Sequence, residues 1–401
     1  MTADWQIRIE HPKVLTVTQE LELLRAAYHQ NPASTTIRQR FAAMLLTTDD
    51  FEGVVALLDS SISASDDIET LNILLHALLS REREADNRRV IELAGRAAKR
   101  AISAIELGEL LACQGKAFAR VGDSKAAIRT LQAALNANPQ DRNAYKRLAT
   151  LHLEAGDSLA VLALADGLIA RGICHPRLLA SRSLALVQLG DMAGAQENAG
   201  FDQFLHRSFL PAPDGWETLD AFNAALAQEL VNHPALRYDR YGAASFKTWR
   251  VDEPSSGNAP LARLLQQSIA QQVKAYVKAL PDTGHPWVKS RPDAGILHNW
   301  CVITDGQGHE EWHVHQHAWL SGVYYVAVPD SIASGSTEAG CIAFGIPQDV
   351  VGDAAAQSFG QHIERPQTGR LMLFPSHSYH RTFPHGNTER RICIAFDIWP
   401  G

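Results

Sequence analysis

Through most of residues 14 to about 205, apolar side chains recur at every third or fourth position, and the pattern predicts a run of amphipathic helices. Gly122-Asp123, Gly156-Asp157 and Gly190-Asp191 punctuate that stretch at intervals of 34 residues, the length of one antiparallel helix pair in a helical repeat. In the unit that opens at Gly108, two helices are expected to cross closely at Gly115. Ala127, Leu131 and Ala134 follow at spacings of four and three, and Pro139 stops the second helix because it lacks the N–H that would extend it. From Ala294 on the period changes to short β-rich runs broken by Gly and Pro, as in a sandwich or barrel. The predicted strands are GILHNWCVIT, EEWHVHQ, WLSGVYYVAV, GCIAFGI, a run near His362, GRLMLFP, SYHRTF and RRICIAFDIW. Strands of this number and length suit a jelly roll. Ahead of them, Leu219 to Val231 and Pro260 to Leu280 have helical periodicity and are expected to cover one face of the sheet, with EPSSGNAP as a loop between them.

Pro211, Pro213 and Gly215 interrupt the helical pattern, so two domains are expected, residues 1–210 and 211–401. Histidine and tryptophan concentrate in the second, which marks it as the seat of any chemistry. The net charge of -7 and the lack of a long basic run argue against a nucleic-acid partner. No apolar run reaches the roughly 18–20 residues of a membrane helix, and the first residues do not read as a signal peptide. Five scattered cysteines without a CxxC pair fit reduced thiols, so a cytoplasmic protein is expected.

The stretch EEWHVHQHAW carries His313, His315 and His317 at every second position. On a strand this sends all three imidazoles to one face, about 6.5–7 Å apart along the backbone. Imidazole is the commonest metal-binding side chain, and His380, on another predicted strand, is the candidate third ligand after His313 and His315. His317 is a spare ligand or a contact to substrate or to a ligand's outer side. Arg390 and Arg391 then open the last strand. Alternation puts Arg391, Cys393 and Ala395 on one face, and Arg390, Ile392, Ile394 and Phe396 on the other. The face of small residues leaves room for a bound molecule, which favours Arg391 as the inward guanidinium. Two histidines at spacing two, a distant histidine and an arginine on the next strand suit a non-haem iron site with positions left open. His309, Glu310 and His313 also satisfy H-E-x-x-H. A zinc peptidase would need those histidines on a helix, and the segment reads as strand, so that reading is set aside. His233, His285, His309, His362, His377 and His385 are assigned no chemistry, and Trp319 is read as barrel packing. The Gly-, Ala- and Ser-rich stretches 329–340 and 348–360 are candidate lids.

Two resemblances extend this reading. The unit from Gly108, with Gly115, Phe118, Gly122, Ala127 and Pro139, resembles the tetratricopeptide repeat. The second half resembles the 2-oxoglutarate/Fe(II) oxygenase superfamily. The matching pieces are Asn299-Trp300, His313/His315, Ser321 to Tyr325, Gly340 with Phe344, Gly369 to Ser376, His380, Pro384 and Arg391 to Phe396. Together they imply an α+β multidomain chain: an all-α tetratricopeptide-like solenoid, then a double-stranded β-helix (jelly-roll, cupin-like) with flanking helices. The resemblance implies Fe(II), 2-oxoglutarate and O2, with His313, His315 and His380 on the metal. It also implies that Tyr325 donates to the co-substrate and that Arg391 holds its distal carboxylate. Most of the superfamily has Asp or Glu where His315 stands, so zinc, copper or nickel could also occupy the site. The expected activity is hydroxylation of a protein, peptide or carrier-bound substrate held by the repeats. The alternative is a non-catalytic metal-binding scaffold.

Overall fold

The computed structural model describes residues 5–9, 14–59, 67–238 and 244–401. Contacts divide the chain into two compact units, Val17–Asp157 and a second made of Ser158–Gly401 together with Met1–Thr16.

The first unit is helical: α1 (Val17–Gln30), α2 (Thr35–Thr47), α3 (Phe51–Leu58), α4 (Ile68–Ser80), α5 (Glu84–Ala98), α6 (Ala104–Arg120), α7 (Ser124–Ala137) and α8 (Arg142–Glu154). The starts are set by side chains that accept from otherwise unpaired first-turn N–H groups: Asp50 for α3, Ser103 for α6, Asp123 for α7 and Asp141 for α8. Helices α2 to α6 bury leucine, valine and alanine in one core that includes Leu74, Leu75, Val90, Ala94 and Leu110. Gly122 closes the α6–α7 turn at φ 84°, in open space, so glycine is needed there for its backbone conformation alone. Gly115 differs. A Cβ at that position would stand 2.6 Å from Leu131 Cγ, across the contact of α6 with α7. Gly115→Ala is therefore expected to destabilise the protein by roughly 1–3 kcal/mol through overpacking. Urea unfolding of the full chain checks this, and pairing the change with Leu131→Ala should cost less than the sum of the two single losses.

The second unit begins with four further helices, α9 (Ser158–Ala170), α10 (Pro176–Gln188), α11 (Met192–Ala199) and α12 (Phe201–Phe204). The sequence grouped these with the repeats and placed the domain boundary at residue 210. Here Leu179 of α10 and Phe204 of α12 share a core with Leu226, Ile269, Trp287 and Phe396, and the division falls between Asp157 and Ser158. The joint is also polar: the Asn198 carbonyl at the end of α11 accepts a 2.9 Å bond from His377 Nε2.

The strands are β1 (Gln6–Ile9), β2 (His206–Phe209), β3 (Arg237–Tyr238), β4 (Ser245–Val251), β5 (Ala294–Glu310), β6 (Leu320–Ala327), β7 (Ile342–Phe344), β8 (His362–Glu364), β9 (Arg370–Pro375), β10 (His380–Thr382) and β11 (Arg391–Pro400). Among the described residues they form an eight-stranded sheet in the order β2-β9-β6-β11-β5-β4-β3, with β1 added parallel to β5, and a three-stranded sheet β10-β7-β8. The larger sheet is antiparallel apart from β1 and has a different partner on each face. One face (Ile303, Tyr324, Leu371, Leu373, Ile392, Ile394, Phe396) packs on α13 (Leu219–Val231) and α14 (Pro260–Ala279), as the periodicity predicted. The other face, with Val302, Val323, Tyr325, Met372 and Cys393, turns toward the small sheet's Ile342 and Phe344.

The predicted strand EEWHVHQ is not one. Beyond Glu310 the chain makes a single bridge, in which His313 and His380 exchange N–H···O bonds of 3.0 and 3.1 Å, and His315 N–H then bonds to Ser376 O at 3.0 Å. The segment is extended and tied at three points, but no ladder continues along it. Conversely, β4 was not anticipated, although SFKTWRV puts Thr248 and Val251 wholly inside.

Candidate active site

Residues from both sheets line a cavity of about 210 Å³. β5, β6 and β11 contribute Trp300, Val302, Val323, Tyr325, Arg391 and Cys393; β7 and β10 contribute Ile342, His380 and Thr382; β4 adds Arg250.

Three imidazoles meet at one end of this cavity. One ring nitrogen from each of His313, His315 and His380 lies within 4.8 Å of the other two. His380 comes from β10 and the other two from the tied segment, so the single bridge at His313 and His380 is what brings them into register. Every Nδ1 is already committed. His313 Nδ1 lies 2.7 Å from Glu311 O, His380 Nδ1 lies 3.0 Å from Ser378 O, and His315 Nδ1 lies 2.6 Å from Asp397 Oδ1. A carbonyl or carboxylate oxygen can only accept, so each Nδ1 carries the proton and each Nε2 presents a lone pair. His315 Nε2 and His380 Nε2 then face each other at 3.2 Å with no proton between them. Two lone pairs held that close repel unless a cation lies between them. Burial pushes His380 well below the usual histidine range and His313 down to about 3, with the neighbouring imidazoles adding to both shifts. Protonation of His313 or His380 is therefore disfavoured, and a divalent metal suits the donor set.

The other notable group is Arg391. It is 2% exposed, its Nη1 donates to Gly340 O at 2.6 Å, and its Nε has no hydrogen-bond partner. Among the described residues no carboxylate lies within ion-pair distance of it, and the one acid lining the same cavity, Glu310, is itself buried and bonded to Ser245. A guanidinium so placed calls for an anion. Tyr325 stands beside it, its hydroxyl without a protein partner among the described residues and its pKa pushed up by burial, so it remains a donor. Its neighbour Tyr324 points to the opposite face and donates to Asn223 Oδ1 at 2.8 Å.

The remaining candidates separate cleanly. Arg390 is exposed and on the outer face. His317 stays out of the cluster, 2.8 Å from Gln316 Nε2 and with its ring 5.2 Å from that of Trp399. Trp319 is barrel packing, stacked on Trp287 at 4.8 Å. His309 turns back to Glu311 at 2.9 Å, and no helix follows it, so the H-E-x-x-H spelling has none of a peptidase's geometry. The stretch from residue 329 ends at Gly340, the acceptor for Arg391. Two cavity residues, Arg250 and Thr382, went unread in the sequence, and a third, Glu310, was read only as part of the H-E-x-x-H spelling. Arg250 stacks over Trp300 with its Cζ 4.9 Å from the ring centre, and Glu310 bonds to Ser245 Oγ at 2.7 Å with its pKa raised by burial. Thr382 Oγ1 accepts the Glu310 N–H bond at 2.9 Å.

Residues 298–397 match the family model described as "Putative 2OG-Fe(II) oxygenase". The C-terminal part of the chain thus carries a domain of the 2OG-Fe(II) oxygenase type, for which Fe(II), 2-oxoglutarate and O2 are the general requirements. Solved structures to which it is similar include hydroxylases and a helical-repeat protein. A prolyl-4-hydroxylase from Pseudomonas putida is 14% identical with a TM-score of 0.33, over 52% of this chain and 99% of that one. A prolyl hydroxylase from Trichoplax adhaerens, in complex with a hypoxia inducible factor peptide fragment, is 11% identical with a TM-score of 0.34, over 53% and 90%. A tetratricopeptide repeat protein from Parabacteroides merdae is 12% identical with a TM-score of 0.37, over 65% and 91%. No curated protein sequence matches the chain. Among the described residues no helix is long and apolar enough to cross a membrane.

Proposed function

We propose that the protein is an Fe(II)- and 2-oxoglutarate-dependent hydroxylase that acts on a protein, peptide or carrier-bound substrate, with the helical repeats as the holding surface. The observation that carries this reading is the pairing of three converging imidazoles with a buried guanidinium that has no ion-pair partner among the described residues, in one cavity. His313, His315 and His380 would hold the metal through Nε2, Arg391 would take the distal carboxylate of 2-oxoglutarate with its fork of N–H donors, and Tyr325 would add a hydroxyl donor. When bound, iron with 2-oxoglutarate and O2 supplies the oxidising power, one oxygen going to the substrate and the other to succinate as CO2 is lost.

The chain's own residues then bind, orient and exclude water. Nδ1 acceptors fix each imidazole's tautomer and tilt. Val302, Val323, Ile342 and Phe374 make the cavity wall apolar, which strengthens the charge–charge contact at Arg391. The repeat family generally uses its concave surface for peptides, which supports a macromolecular substrate.

Anaerobic addition of Fe(II) and 2-oxoglutarate to the full chain tests the proposal. A visible metal-to-ligand charge-transfer band, followed by succinate on admission of O2, is the expected result. Absence of both favours the non-catalytic scaffold. Captured partners that gain one oxygen in a mass spectrum would identify the substrate.

A further inference from the structure

The family-typical acidic ligand is absent from the cluster, and the carboxylate nearest to it belongs to a residue the sequence reading did not single out. Asp397 lies on β11, paired in register with Ser321 on β6 and with His298 on β5. It is 7% exposed in a strand that is otherwise apolar after Arg391. Its Oδ1 is 2.6 Å from His315 Nδ1 and accepts a second bond of 2.6 Å from Ser321 Oγ. Ser321 Oγ is in turn 2.7 Å from Ser376 Oγ, and both serines are fully buried. Ser376 also accepts the His315 backbone N–H through its carbonyl. The serines, the aspartate and the imidazole thus form a closed network with one charged end.

We propose that Asp397 is a positioning residue that returns to this site, through the His315 ring, the negative charge that a carboxylate ligand would otherwise supply directly. This rests on the reading of the three histidines as a metal centre. A carboxylate bonded to Nδ1 makes Nε2 a stronger donor and lowers the net charge felt at the metal. Ser321 and Ser376 fix its position, so the imidazole cannot rotate away from His380. The cluster then acts electrostatically as three neutral donors with one anion a bond further out. That arrangement leaves the metal's coordination positions to histidine alone while limiting its attraction for stray anions.

Asp397→Asn keeps the shape and an oxygen that can accept from His315, and removes only the charge. Anaerobic titration with Co(II), a spectroscopic stand-in for Fe(II), is expected to show affinity reduced by about 10–100-fold in this variant. Azide binding to the loaded variant should become tighter. The opposite signs matter, because a merely structural role would weaken both or neither. Unchanged Co(II) affinity in Asp397→Asn, with the wild type binding normally, overturns the role of Asp397 alone. No Co(II) binding by the wild type overturns the metal centre itself. Should the variant fail to fold, 15N-histidine spectra of the metal-free wild-type chain decide: His315 protonated at Nδ1 supports the network, and protonation at Nε2 overturns it.

Discussion

His380→Ala is expected to raise the Fe(II) dissociation constant by more than about 10²-fold, beyond the 10–100-fold that losing an outer hydrogen-bond partner typically costs. Succinate formation should disappear with it. The reason is geometric: His380 is the one histidine supplied by β10, and without it the remaining two come from a single short segment. The metal-free protein should respond differently. His380 Nε2 faces His315 Nε2 at 3.2 Å, and removing one of two opposed lone pairs offsets part of the packing lost against Phe374, whose ring centre is 4.8 Å away. Calorimetry with and without Fe(II) therefore separates the two effects: a large loss of metal-induced stabilisation and a smaller change in the metal-free Tm. Equal Fe(II) affinity in variant and wild type would falsify the three-histidine site.

Arg391 supplies the second large effect. Arg391→Met should weaken 2-oxoglutarate binding by roughly 30- to 5 × 10³-fold, in line with the ~2–5 kcal/mol typical of losing one partner of a buried, hydrogen-bonded charge pair. Fe(II) affinity should stay within about threefold. In the ligand-free protein the same change removes a buried charge but also the bond to Gly340 O, so the two effects offset and the Tm should change little. Arg391→Lys keeps the charge without the fork and should fall between the two. Isothermal titration with 2-oxoglutarate and thermal unfolding measure both. A parallel loss of iron and 2-oxoglutarate binding would show that Arg391 supports the fold of the site instead of the co-substrate.

Much of this site could be read before any coordinates, for identifiable reasons. Arg391 could be chosen over Arg390 because strand alternation has a period of two, so one residue of the pair must face in. The turns at Gly122, Gly156 and Gly190 were visible because each has positive φ, at 84°, 72° and 82°, which glycine adopts most readily. The helical face of the large sheet followed from the spacing in α13 and α14.

What stayed hidden depends on pairing, which a one-dimensional pattern does not encode. His313 and His315 looked like strand residues because their spacing is strand-like, yet only one bridge forms there. Asp397 was visible as a lone acid in RICIAFDIW, but its meaning required knowing that β11 sets it opposite Ser321, 76 residues away. Helices α9–α12 have the same periodicity as their predecessors. Nothing local says that their apolar stripes meet the sheet's helices instead of another repeat.

The parallel pairing of β1 with β5 has a practical consequence for anyone re-engineering the chain. Trp5 donates from its indole to Pro292 O, and Gly295 leaves so little room that a Cβ there would stand 2.8 Å from that indole. Residues 5–9 thus lie in the sheet-bearing unit, which the chain leaves for residues 17–157 and re-enters at Ser158. The helical module is a cassette spliced into its host, not a forward appendage. Trimming that removes residues 5–9 would strip a strand from the host.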